Sequence, residues 1–289
     1  MIERCALLFP GQGTLPDGLP DTPVGGRLLE RAERSGIPLR SWLCVREAAP
    51  PCDTEYAQPL IFIDSVGKGA LLRDRGLRPE VVAGHSLGEY AALVFAGVLA
   101  PEEGLDLVVE RGRAMGSVAG AMAAILKLSS GDVEQLCERV PDATIANING
   151  ERQIVVSGTE SGIAAVSAAA EREGGRAVRL TVSGPFHSPL MSEASERFAP
   201  ALDRASFRDA TTPIVSAVTG RPETDGNRLR ELMKRQMLAC VRWLDVMRWI
   251  ASHGVTCAIE TGPGTVLAGL GRRIVPAMRF VPYEEALHG

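Results

Sequence analysis

The stretch Gly84-His85-Ser86-Leu87-Gly88-Glu89 decides how this chain is read. Val81-Val82-Ala83 before it has the continuous apolar character of a buried strand. Tyr90 to Leu99 after it, with alanines at 91, 92 and 96, reads as a helix. A serine between two glycines on a strand-to-helix turn is a nucleophile elbow. Glycine two residues to either side removes the Cβ atoms that would keep strand and helix apart, and the serine can then hold a strained backbone with its hydroxyl exposed. The helix N-terminus behind it offers free N–H groups and the positive end of a dipole, both suited to an oxyanion. The same spacing also serves as a tight turn with an inert serine, so the rest of the chain has to decide.

The 289 residues suffice for one large domain or a large one with a small companion, and 45% hydrophobic with 23% charged residues is an ordinary enzyme composition. A net charge of −4 gives no basic field for nucleic acid or an anionic membrane. No apolar run reaches about 18 residues without a charge, so no membrane span is expected. Met1-Ile2-Glu3-Arg4 carries no secretion-signal pattern. Cysteines 5, 44, 52, 137, 240 and 257 form no CxxC pair and no Cys/His ligand set, and with only four histidines no metal site is expected. They read as free thiols of a reducing, cytoplasmic compartment.

Outward from the elbow the chain alternates strand and helix. Cys5–Phe9 is a short apolar strand ending in the turn Pro10-Gly11-Gln12-Gly13. A helix around 26–34 lies in an otherwise loop-rich stretch to Asp53. Gln58-Pro59 opens an apolar helix over 60–72 with proline near its first turn, and Pro101 starts a helix running through Arg111 to Met115. This alternation is that of an α/β core with a mainly parallel sheet. Residues 119–184 read differently: strand 122–128, helix 131–140, strands 143–149 and 153–157, helix 161–172, strand 177–182. That βαββαβ order is the ferredoxin-like unit, here inserted into a core made of 1–118 and 185–289. Hinges are expected at 116–120 and at Ser183-Gly184-Pro185. The core then resumes with a helix opened by Phe186-His187 and running to Arg204, a strand at 212–218, helices at 227–238 and from Arg242-Trp243, a strand at 255–260, and a helix from Thr265.

A nucleophilic serine needs a base within hydrogen-bond reach. His187 follows a Gly-Pro turn on the return from the insertion and has Pro189 close behind it, which makes it the candidate base or else a capping histidine. His253 reads as a helix C-cap, His288 is terminal, and His85 is fixed beside the serine, where it shapes the turn.

Seven segments in one order then resemble a known family: FPGQG at 9–13, Gln58-Pro59, GHSLGE at 84–89, RGRAM at 111–115, AxxN…IVVSG across 146–158, GPFHSPLM at 184–191 and ETGPGTVLAGL at 260–270. Together they are similar to the malonyl-CoA:acyl-carrier-protein transacylases, which include the acyltransferase domains of polyketide synthases. The resemblance implies a hydrolase-like α/β core with an inserted ferredoxin-like subdomain. It implies Ser86 as acyl-accepting nucleophile and His187 as its base, with the second ring nitrogen held by backbone carbonyls in place of a triad carboxylate. It implies an oxyanion hole from the N–H groups of Gln12 and Leu87, a site lined by Gln58 and Gln236, and Arg111 as the ligand of the malonyl carboxylate. A planar guanidinium suits that carboxylate, since it offers two parallel hydrogen bonds that lysine cannot. Phe186 resembles malonyl-selecting members.

The implied substrate is malonyl-CoA, with no bound cofactor. The implied partner is a phosphopantetheinylated acyl carrier protein, met by a monomer, with Arg272-Arg273 and Arg279 as candidate docking cations. The chain departs from the family pattern at Leu15 and at Ala239-Cys240, which leaves a fatty-acid role and a dedicated polyketide role, with another acyl group, both open. Two other readings use the same elbow. A serine esterase would want an acidic third member and has no use for Arg111 or the inserted unit. A silent carrier-docking module has no use for a Ser/His pair. Gly262-Pro263-Gly264 does not make a dinucleotide fingerprint, because position 267 is leucine.

Overall fold

The computed structural model of the chain describes residues 4–45, 54–182 and 184–288. The Met1-Ile2-Glu3 start, Pro50, Pro51, Cys52 and hinge residue Ser183 lie outside them. In chain order the elements are β1 (Cys5–Phe9), α1 (Pro23–Arg34), α2 (Leu39–Val45), α3 (Thr54–Asp74), β2 (Val81–Gly84), α4 (Gly88–Phe95) and α5 (Pro101–Gly116). The middle section adds β3 (Ala121–Leu126), α6 (Ser130–Glu138), β4 (Ala143–Gly150), β5 (Gln153–Gly158), α7 (Glu160–Arg172) and β6 (Arg176–Arg179). A 3-10 turn at Pro189–Met191 then leads to α8 (Ser192–Arg204), β7 (Ile214–Ser216), β8 (Arg221–Glu223), α9 (Gly226–Gln236), α10 (Trp243–Ser252), β9 (Cys257–Glu260), α11 (Val266–Ile274), β10 (Arg279–Val281) and α12 (Tyr283–His288).

Two sheets carry the fold, a mixed α/β architecture. The larger runs β10-β9-β1-β2-β7-β8, parallel except for the antiparallel edge strand β8. Its strands are apolar on both sides because helices cover both faces. Leu7, Phe9 and Val82 enter one core cluster with Leu60, Phe62, Leu93 and Val108 of α3, α4 and α5. Ala6, Leu8, Val81 and Ala83 enter the other with Trp243, Met247, Ile250 and Leu270 of α10 and α11. The smaller sheet is antiparallel in the order β4-β5-β3-β6, with α6 and α7 on one face. Met122, Ala124 and Val155 on its other face join the first core cluster. The smaller sheet also meets the segment between α9 and α10, through a parallel bridge between Asn147 and Val241.

Several expectations need correcting. α3 begins at Thr54, six residues early, and carries Pro59 inside it, where the ring forgoes one main-chain bond in the second turn. His187 does not open a helix: its φ is +59°, and regular helix starts at Ser192 after the 3-10 turn. α2, β8 and β10 were not expected. Cys5 and Cys257 are register partners on neighbouring strands and are joined as a disulfide, so not all six cysteines are free thiols. Cys137 and Cys240 are free. No helix among the described residues is long and apolar enough to cross a membrane.

Candidate active site

The carboxyl ends of β1 and β2, paired at Phe9 and Gly84, open onto the same point above the sheet. This is where parallel α/β sheets place their ligands. The two elbow glycines explain the crossing. A Cβ on Gly84 would overlap the Gly88–Glu89 peptide, and one on Gly88 would overlap the Phe9 carbonyl. Ser86 sits between them with φ +50°, a left-handed conformation worth roughly 1–3 kcal/mol of strain in a non-glycine residue. His187 shares that strain. Both are residues of this one site.

Ser86 Oγ lies 2.7 Å from His187 Nε2. Nδ1 of the same ring lies 3.0 Å from the carbonyl oxygens of both Gln236 and Ala239. Carbonyls only accept, so Nδ1 carries the proton and Nε2 is the acceptor facing the serine hydroxyl. Burial, then the charge of Arg111 and the His85 ring, push the imidazole down to about 3. It is therefore neutral at physiological pH. Gln12 and Leu87 flank the serine on the β1 loop and at the start of α4. Among the described residues neither backbone N–H donates to another group, and the Gln12 side chain is tied back to Thr54 Oγ1 at 3.2 Å.

Arg111 reaches the serine from α5. It is 1% exposed and donates to Gln58 Oε1 (2.7 Å), Ser86 Oγ (3.0 Å) and Gln236 Oε1 (3.2 Å), with the Tyr90 ring 5.6 Å from its guanidinium carbon. Ser86, His187, Arg111, Gln58 and Gln236 thus form one hydrogen-bonded group. Phe186 is not joined to it by a polar contact: its ring packs against Gly184 in the core. The three candidate docking cations have local partners. Arg273 donates to Gln153, Arg279 pairs with Glu285, and Arg272 lies against Phe280.

Three participants escaped the sequence reading. Glu89 is a buried acid within the apolar run of α4, and that contrast was its signal. Asn149 Oδ1, from the other sheet, accepts a hydrogen bond from His85 Nε2 at 2.9 Å. Ala239 contributes only a carbonyl, which no residue type announces.

Comparison with known proteins fits this geometry. The acyl transferase domain family matches residues 30–276. The malonyl CoA-acyl carrier protein transacylase of Synechocystis is 37% identical over 282 residues, covering 96% of each chain. The crystal structure of the Synechocystis enzyme superposes with a TM-score of 0.90 at 35% identity, covering 99% of both chains. A malonyl-transacylase solved in complex with a type II PKS acyl-carrier protein superposes with a TM-score of 0.92 at 30% identity, again over 99% of each. The chain belongs to the malonyl-CoA:acyl-carrier-protein transacylase family of acyl transferases.

Proposed function

We propose that this chain moves a malonyl group from malonyl-CoA to the phosphopantetheine thiol of an acyl carrier protein, in fatty-acid or polyketide synthesis, through an ester on Ser86. The observation that carries this reading is the buried Arg111 guanidinium, 3.0 Å from the nucleophilic oxygen and bonded only to neutral groups. A cation kept there without a carboxylate partner suits an acyl group that brings its own. A simple esterase has no need of it.

In the first half-reaction Ser86 Oγ attacks the thioester carbonyl while its proton passes to His187 Nε2. The carbonyl oxygen becomes an oxyanion facing the N–H groups of Gln12 and Leu87, donors of a kind worth on the order of 10²–10³ in rate each. Collapse breaks the C–S bond, and His187 returns the proton to the departing coenzyme A thiolate. In the second half-reaction the carrier's thiol gives its proton to His187, attacks the Ser86 ester, and the serine leaves with that proton restored. Arg111 holds the malonyl carboxylate through both halves, with Gln58 and Gln236 fixing the guanidinium plane. Carboxylate binding also cancels part of the positive field that depresses His187, so the correct substrate strengthens its own base.

The βαββαβ order of β3 to β6 and the strand order β4-β5-β3-β6 support reading 119–184 as a ferredoxin-like unit set into a hydrolase-like core of 1–118 and 185–289. The proposal includes a monomer working in the cytoplasm, with malonyl-CoA as substrate and no bound cofactor.

Intact-mass measurement after mixing with malonyl-CoA tests the reading. A malonyl adduct is expected on the native protein and none on Ser86→Ala. Arg111→Ala should lose malonyl acylation by about 10²-fold or more, since two charge-assisted hydrogen bonds go, and acetyl acylation by far less. Absence of a native adduct, or an equal fall for both acyl groups, overturns it.

A further inference from the structure

Arg111 poses an electrostatic question. Its three hydrogen-bond partners are neutral, and among the described residues no carboxylate forms an ion pair with it. A buried charge without compensation is strongly destabilising. A direct acidic partner, however, would occupy the edge that a substrate carboxylate needs.

Glu89, the second residue of α4, resolves this through one intervening amide. It is 2% exposed. Its Oε1 accepts from Ser216 Oγ at 3.0 Å and from the Ala217 N–H at 2.9 Å, and its Oε2 accepts from Gln236 Nε2 at 2.6 Å. Every partner can donate, which suits an ionised, acceptor-only carboxylate. Burial holds the carboxyl above its ordinary range, and the three donors together with the charge of Arg111 offset only part of that rise. The Gln236 amide also donates to the Ser86 carbonyl at 2.8 Å. With both Nε2 protons spent on acceptors, Gln236 Oε1 is the end left to face Arg111. Flipping the amide would set NH₂ against guanidinium and a carbonyl against a carboxylate.

We infer that Glu89 is a positioning residue for acyl selection: by locking the Gln236 amide it balances Arg111 from one residue away, keeping the guanidinium aimed at Ser86 with its binding edge free for a substrate carboxylate. This rests on the reading of Arg111 as the carboxylate ligand. The Gln236 carbonyl that holds His187 belongs to the backbone at the end of α9, so the lock governs selection more than base strength.

The test is a double-mutant cycle read as the ratio of malonyl to acetyl single-turnover acylation of Ser86, with thermal melts alongside. Glu89→Gln keeps the shape but removes the charge and must set its NH₂ against either the Gln236 NH₂ or the Ala217 N–H, and the ratio should fall at least about 10-fold, as for loss of a hydrogen bond to a charged group. In an Arg111→Ala background the same change should move the ratio no further, since Glu89 acts through Arg111. A role in folding alone lowers both acylations together and leaves their ratio at the native value. If Glu89→Gln does not yield folded protein, Glu89→Asp serves the same cycle: its shorter side chain cannot span Ser216, Ala217 and Gln236 together, and the ratio should fall likewise. An unchanged ratio in a folded Glu89 variant, or multiplying effects, overturns the inference. If Arg111→Ala itself keeps the native ratio, the clamp reading fails first, and the two failures are told apart.

Discussion

At the scale of single residues, His187 is a histidine whose chemistry is strongly altered by its surroundings. It is held neutral by desolvation first and by the Arg111 charge second, with a value near 3 against an ordinary 6.5. A base is lost when it is protonated, so a depressed value moves the acid limb of activity down the pH scale. Acylation of Ser86 by acetyl-CoA, which brings no carboxylate to offset Arg111, should therefore show no downturn across pH 6–7. In Arg111→Ala the second cause of the depression is gone. The His187 value rises, and the acid limb should move to higher pH. Single-turnover acylation against pH checks this, and an acid limb unmoved by Arg111→Ala would count against the electrostatic account. Ser86 between glycines and His187 after Gly-Pro were legible as candidates from their neighbours, whereas Arg111, on an ordinary helix face, was singled out only by the family resemblance. Glu89 and Ala239 were not assigned, since their roles depend on what a distant segment brings up to them.

At the scale of elements, the elbow is a crossing made possible by absent side chains. Every residue of α4 is buried, so the helix cannot shift sideways to make room. A methyl at position 88 would meet the Phe9 carbonyl, which is itself bonded to the His85 N–H at 2.9 Å. Gly88→Ala should cost about 2–3 kcal/mol as an overpacked core does, lowering the melting temperature by roughly 5–10 °C, and should abolish Ser86 acylation because the loop that follows β1 carries Gln12. A native melting temperature for Gly88→Ala would refute the packing argument. Buried elements were legible in the sequence for the same reason they are rigid: continuous apolar runs bounded by glycine and proline mark β1, β2 and α4. Edge elements were not. β8 and β10 have three residues each, too few to show a period, and β8 contains Pro222, tolerable only at a sheet edge. The early start of α3 escaped because packing against α5 outweighed the proline that suggested a later one.

At the scale of the whole molecule, the candidate site is bordered by the smaller sheet, and His187 is held by the segment that pairs with it. Gln236 and Ala239 supply the carbonyls for His187. Two residues further on, Val241 exchanges hydrogen bonds with β4, through Val241 N–H to Ala146 O (2.8 Å) and Ile148 N–H to Val241 O (2.9 Å). Asn149, one residue beyond Ile148, meets His85 beside the nucleophile at 2.9 Å. The smaller sheet therefore contacts both the turn that carries Ser86 and the segment that holds His187. Asn149→Ala removes the only side-chain bond between His85 and the smaller sheet among the described residues, and leaves a ring nitrogen unsatisfied. That should cost about 1–3 kcal/mol of stability. If the brace matters to catalysis, acylation by malonyl-CoA and by acetyl-CoA should fall together, leaving their ratio at the native value, because the brace bears on Ser86 and His187 and not on Arg111. This is the opposite pattern to Glu89→Gln. A variant with native acylation rates despite a lowered melting temperature would show that the smaller sheet stabilises the enzyme without tuning its site.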